Sequence, residues 1–225
     1  SDLVIKGESV IVDVVTWNVG KFNAKKIKDF PFGNELKTGQ TVCKLYDGSF
    51  ILRCKDGFIN ITKYSNYEDV KKTIQIAKAE GMHVLLDFHF SDTWADPSVQ
   101  EIPAAWTSEI NNKESLGELL YNYTYETLNN LANANLLPEI VQIGNEINPM
   151  ILQGDDLVWP IDWNRNSYLI NKGIKAVRDI SIEQNKKIEV MLHIAQPENA
   201  LWWFKDATAN DIIDFDWIGL SYYPI

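Results

Sequence analysis

Apolar residues recur along this chain in two alternating rhythms. Val70, Ile74 and Ala77 fall at helical spacing behind Ser65 and Glu68, which form a capping box, and Gly81 stands where a C-terminal cap belongs. The next run, MHVLLDFHF from Met82 to Phe90, is largely apolar and predicts a strand covered on both faces. The cycle then repeats. Leu116, Leu119, Leu120, Tyr123 and Leu131 mark one stripe of a helix over roughly Ser115 to Asn135, and EIVQIGNE after Pro138 predicts the following strand. A third helix, from about Asn166 to Gln184, turns Leu169, Ile170, Gly173, Ile174 and Val177 inward. KIEVMLHIA follows as a strand, then a short helical stretch, then DWIGLSYY as another strand.

Strand and helix in rotation imply an α/β fold of parallel strands with right-handed crossovers, either a doubly wound sheet or a (β/α)8 barrel. The polar residues favour the barrel. Each strand is apolar through its body and polar at its C-terminal end: Asp87 and His89, then Asn145 and Glu146, then His193, then Ser221 and Tyr222. A TIM barrel builds its site from that rim. No glycine-rich loop of the dinucleotide-binding kind follows any of these strands. In residues 1–64, VIVDVVTW and SFILRC fit barrel strands, while Gly33, Gly39, Gly48 and Gly57 among polar residues suggest hairpins or an irregular insertion. The expectation is one partial barrel domain over 1–225, incomplete at its C-terminus, with a divergent portion at 1–64.

Charge narrows the partners. With 31 acidic against 21 basic residues, a net charge of -10 opposes nucleic acid and anionic lipid, and no apolar run is long enough to cross a bilayer. Cys43 and Cys54 are the only cysteines and are equally compatible with a local bridge or two thiols. His83, His89 and His193 lack metal-type spacing with them, so no zinc site is expected, no metal ligand or cofactor is assigned, and calcium binding stays open.

Glu146 is the leading candidate for chemistry. A carboxyl at a barrel rim among aromatic residues is shielded from water, which favours its neutral form and suits it to protonate a leaving oxygen. Asn145 beside it both donates and accepts, as recognition of a sugar hydroxyl requires. The competing role for both is to cap the next turn. DFHFSDTWADPSVQEIPAAW, Asp87 to Trp106, is a long loop dense in carboxylates, tryptophan and proline. There Asp87 and His89 orient one another and a ligand, and Trp94 and Trp106 offer flat faces to pyranose rings; alternatively Asp92 and Asp96 serve turns and the tryptophans are buried. Of the eight tryptophans, Trp159, Trp163, Trp202 and Trp203 follow rim positions. His83, Glu189 and Asp216 fall early in their strands, at the opposite, structural face.

Together, DFHFSDTWADPSVQEIPAAW, IVQIGNEI and DWIGLSYYP resemble the family 53 glycoside hydrolases, the arabinogalactan endo-β-1,4-galactanases, from roughly Tyr67 onward. The resemblance implies a (β/α)8 barrel, a galactan polysaccharide or oligosaccharide as substrate, Glu146 as general acid/base and Asn145 at the 2-hydroxyl of the sugar cleaved. It further implies that Asp87, His89, Trp94, His193 and Tyr222 line the cleft, and Ser221, at the same rim, is a further candidate for substrate binding. Retention of configuration requires a second carboxylate about 5–5.5 Å from the first. The family places that nucleophile at the end of strand seven, which is expected beyond Ile225. A monomer acting outside the cell is expected, because the polymer is too large to enter intact. The alternatives are another endo-glycanase of the same clan, a cellulase or mannanase, or a carbohydrate-binding fragment without catalysis.

Overall fold

The computed structural model describes residues 67–153 and 159–222, together with the backbones of five earlier strands. The elements run β1 (Ser9–Asp13), β2 (Trp17–Lys21), β3 (Thr41–Lys44), β4 (Phe50–Cys54), β5 (Gly57–Lys63), α1 (Tyr67–Ala79), β6 (His83–Phe88), α2 (Lys113–Asn133), β7 (Ile140–Ile143), α3 (Trp163–Glu183), β8 (Glu189–Ala195), α4 (Pro197–Ala209) and β9 (Trp217–Ser221). A 3₁₀ turn at Ala104–Glu109 precedes α2.

Five strands form a parallel sheet in the order β1-β6-β7-β8-β9. From β6 onward each strand neighbours the next in chain order and is joined to it by a helix, as in successive units of a (β/α)8 barrel. The interior strands β6 and β7 are buried almost end to end, which explains their nearly unbroken apolar sequence. Residues of the early region divide between two sheets. Ser9–Asp13 joins the parallel sheet, but Phe50–Cys54, the core of SFILRC, lies in a separate antiparallel sheet of order β2-β5-β4-β3. That stretch is therefore not a strand of the parallel arc: Phe50–Cys54 runs antiparallel to β5, with Cys54 paired to Gly57. The side chains of Cys43 and Cys54, and the capping residue Ser65, lie outside the described residues.

Both long helices begin earlier than their apolar stripes suggest, by two and three residues, because a polar residue caps each one. Asn112 accepts from the Ser115 amide at 3.0 Å and Asp162 from the Arg165 amide at 3.1 Å. Gly81, at φ +73°, ends α1 as expected. Leu116, Leu120, Leu128 and Leu131 of α2 and Leu169, Ile170, Ile174 and Val177 of α3 pack with Leu86, Phe88, Val141 and Ile143 of the sheet. The elements come close at Gly173, where an added Cβ would lie 2.8 Å from Ile143 Cγ2 and 3.0 Å from Leu120 Cδ2. Tyr123 departs from the expected inward stripe: it stands at the partly exposed upper end of the core, edge-on to Phe88, Phe90 and Trp106.

The N-terminal ends of the strands hold an ionic layer. Glu139 accepts from the Val84 amide at 2.9 Å and pairs with Lys78 at 2.7 Å and Lys186 at 3.2 Å. Burial opposes ionisation there, but Lys78 and the amide outweigh it and hold the carboxyl below its usual range. Arg178 donates to Asp214, Asp216 and the Ile188 carbonyl, while Glu189 accepts from Trp217 Nε1. His83 is exposed at this same end.

Leu120 is fully buried between helix and sheet, whereas Leu201 on α4 is 84% exposed. Leu120→Ala is expected to cost about 2–5 kcal/mol of unfolding free energy. Leu201→Ala should stay within about 0.5 kcal/mol, and denaturant titration of the whole protein compares the two.

Candidate active site

β7 ends at Ile143 and the chain turns at once. Gly144 takes φ +81° and Glu146 φ +50°, both left-handed. Glycine suits the first position: a Cβ there would sit 2.5 Å from Ile147 Cγ2 and 3.2 Å from Ile151 Cδ1. At the second, a glutamate is held where only a small minority of non-glycine residues is found, and such strain clusters at functional sites. The turn leaves Glu146 only 7% exposed.

Around it lies a polar cluster at the strand ends. Asn145 Nδ2 donates to the Ala95 carbonyl at 2.8 Å, which fixes its amide and turns Oδ1 toward His193 Nδ1, also 2.8 Å away. Oδ1 can only accept, so Nδ1 carries the imidazole proton. The other ring nitrogen, Nε2, is then the acceptor for Ser221 Oγ at 3.1 Å. Gln142, pointing up from β7, donates to the Gly144 carbonyl at 3.1 Å and approaches both Asn145 Oδ1 and His193. Burial pushes the His193 pKa below its ordinary value; the charges of Asp87 and Glu146 pull it back up, and His89 adds to the lowering.

Asp87 and His89, at the end of β6, are buried. His89 Nδ1 accepts from the Ala95 amide at 3.2 Å, so its proton is on Nε2, 3.2 Å from Asp87 Oδ2 but too poorly aligned to form a hydrogen bond. The other carboxylate oxygen, Oδ1, is buried with no hydrogen-bond partner. Trp94 rests on the His89 ring, centroids 4.7 Å apart, and is 42% exposed. Tyr222, one residue past β9, is 69% exposed.

The structure thus brings Asp87, His89, Trp94, Asn145, Glu146, His193 and Ser221 to one end of the parallel sheet, with Tyr222 at its margin. Asp92 and Asp96 serve the loop: one accepts from the Ala104 amide, the other from Ser98. Trp203 belongs to the core, Trp163 packs against it, and Trp106 packs against Tyr123. Trp159 and Trp202 form a tilted pair at 6.0 Å on neighbouring loop and helix. Sequence reasoning missed three residues. Gln142 was hidden inside an apolar strand. Gln100 donates to the carbonyls of Asn145 and Glu146 as well as that of nearby Asp96, and Asn148 pairs its amide with both backbone groups of Ala195; apart from Asp96 their partners come from distant segments, so no local pattern marks them. Among the described residues, no group of three His, Cys, Asp or Glu could hold a metal ion, and no helix is long and apolar enough to cross a membrane.

Residues 53–225 match the family model for glycosyl hydrolase family 53, so the likeness starts ahead of Tyr67. Over 165 residues the chain is 57% identical to an arabinogalactan endo-beta-1,4-galactanase of Cellvibrio japonicus, which spans 72% of this chain and 44% of that one. It is 38% identical over 160 residues to the enzyme of the same name from Thermothelomyces thermophilus, covering 66% and 44%. Among solved structures, the family 53 catalytic domain of Ignisphaera aggregans superposes with a TM-score of 0.63 at 34% identity, over 71% of this chain and 42% of that one. A fungal β-1,4-galactanase gives the same score and identity over 72% and 48%. The chain spans less than half the length of these relatives.

In the described site His193 should be the Nδ1–H tautomer and titrate below 6.5. Because its folded pKa lies under the unfolded one, stability falls as pH drops below about 6.5 and levels off once the folded ring protonates. Nitrogen-15 NMR of the imidazole reads both; a proton on Nε2 or a midpoint at or above 6.5 would contradict the network.

Proposed function

The chain belongs to glycosyl hydrolase family 53, and on that premise we propose that the whole protein is a retaining endo-glycosidase cleaving β-1,4-galactosidic bonds in galactan. The observation that supports this most directly is the placement of Glu146: a buried residue in a left-handed turn at the end of a central parallel strand, next to Asn145 and close enough for its charge to act on His193. In this reading Glu146 donates its proton to the glycosidic oxygen as the bond to the anomeric carbon breaks. The nucleophilic carboxylate bonds to that carbon, giving a glycosyl-enzyme. Glu146, now ionised, takes a proton from water, whose oxygen displaces the nucleophile and restores it. The nucleophile is assigned to the part of the whole protein beyond residue 225.

The other rim residues have roles suited to their contacts. Asn145 has its amide committed to Ala95, so it addresses the 2-hydroxyl from a fixed position. His193 in its neutral form holds Asn145 and is itself held by Ser221. Asp87 Oδ1, buried without a partner, is suited to accept from a sugar hydroxyl, which would recover the cost of its desolvation. Trp94 offers a half-exposed ring braced from behind by His89, and Tyr222 a second aromatic surface at the margin. The domain is read as one partial barrel over 1–225 with 1–64 as its divergent portion. The whole protein is taken to act as a monomer outside the cell, on a polymer that cannot be imported intact.

Glu146→Gln in the whole protein is expected to lower galactan turnover by about 10²–10⁴-fold, the range for loss of a general acid/base. Reducing-sugar release from galactan, alongside cellulose and mannan, measures it. Unchanged turnover in the variant would end the assignment, and preference for cellulose or mannan would reassign the substrate.

A further inference from the structure

We infer that Gln100 is a positioning residue for the Glu146 carboxyl, and that through it the loop bearing Trp94 governs where that carboxyl points. The inference rests on the reading of Glu146 as acid/base. Gln100 is buried, and its side-chain amide nitrogen lies 2.8 Å from the Asn145 carbonyl, 3.0 Å from that of Asp96 and 3.3 Å from that of Glu146. The amide orientation is forced, since a flip would set Oε1 against three carbonyl oxygens. Two hydrogens serve three acceptors, so the longest contact shares a hydrogen with one of the others.

The identity of those carbonyls is what matters. The Asn145 carbonyl belongs to the peptide plane that precedes the Glu146 Cα, and the Glu146 carbonyl to the plane that follows it. Rotation about φ and ψ of Glu146 is rotation of these two planes, so one side chain restrains both. The second plane is gripped from its other edge as well, because the Ile147 amide donates to the His193 carbonyl at 3.0 Å. Gln100 is in turn anchored by the Gln153 amide, which donates to its carbonyl at 2.6 Å. Without the clasp, Glu146 is free to leave its disfavoured conformation, and its Cα–Cβ bond swings away from Asp87 and His193. Trp94 lies on the same loop, and the Ala95 carbonyl between them receives the Asn145 side chain. A sugar settling on Trp94 therefore presses on the segment that aims the acid.

Gln100→Leu and Gln100→Glu in the whole protein test this. Gln100→Leu removes every donor and should lower kcat on galactan by about 10²-fold with KM little changed, as for a misplaced catalytic group. Gln100→Glu separates positioning from mere stability. Protonated, the new side chain presents one O–H donor to the carbonyls; ionised, it turns negative charge on them. Its kcat should therefore fall with rising pH along an extra limb absent from the wild type, while Tm shows the protein folded throughout. The titratable groups on the elements that meet it are Asp87 on β6, His89, Asp92, Asp96 and Glu101 along the loop, Glu146 after β7 and His193 on β8, all shared with the wild type. Wild-type kcat in both folded variants, or a Gln100→Glu profile that superposes on the wild type, would overturn the inference. Should the wild type not hydrolyse galactan, the acid/base reading falls by itself. Crystal structures of the variants then decide the clasp: Glu146 departing from φ near 50° supports it, and Glu146 unmoved overturns it.

Discussion

A carboxyl group stays out of water only if the backbone beneath it cannot swing it back, and the left-handed turn after β7 supplies that restraint. Gly144 lets the chain leave the strand sharply, and Glu146 then occupies a conformation that side chains avoid. An ordinary strand end would run on outward and carry Glu146 into solvent. Here the next residues are drawn back to the sheet: the Ile147 amide binds β8 at the His193 carbonyl, and Asn148 pairs with Ala195 through both its side-chain oxygen and nitrogen. The Asn148 carbonyl is capped in turn by Trp203 Nε1, so the core tryptophan of α4 also braces the site.

The same device recurs around the rim. Phe90 after β6 and Gln196 after β8 also adopt positive φ, at 51° and 66°. Three successive strands thus end in a reversal that keeps the following segment close over the sheet. Packing and polar networks divide the labour. Apolar contacts among α2, α3, β6 and β7 fix where the strand ends lie, and directional bonds from Gln100, Gln142 and His193 fix how the groups on them are turned.

The parallel sheet and its helices were legible in the sequence because each long element has one dominant period. β6 reads as a doubly covered strand, and α3 shows its stripe from Leu169 to Val177. Helix starts were misjudged because Asn112 and Asp162 stand outside the apolar pattern, and Tyr123 because a rim aromatic shares the spacing of a core one. SFILRC has the apolar content of a barrel strand, and only its partner, β5, distinguishes an antiparallel ladder from a parallel one. At the site, residues adjacent to strand ends were visible: Glu146, Asn145, Asp87, His89 and His193. What escaped was conformation and support. Nothing in the letters of Asn145-Glu146 announces a positive φ, and Gln100 lies 46 positions from the carbonyl of Glu146 that it helps restrain.

Opposite the rim, Glu139 gathers Lys78, Lys186 and the Val84 amide, while Arg178 ties α3 to Asp214 and Asp216. Among the described residues, none of these groups shares a partner with the residues around Glu146, and effects at sites without shared partners add nearly independently. Ion-pair networks of this kind strengthen as temperature rises, since the penalty for stripping water from charge declines. Ionic pairing and the candidate site therefore occupy opposite ends of the same strands. A lineage, or an engineer, can retune the working temperature by redrawing the lower charges without disturbing the geometry above.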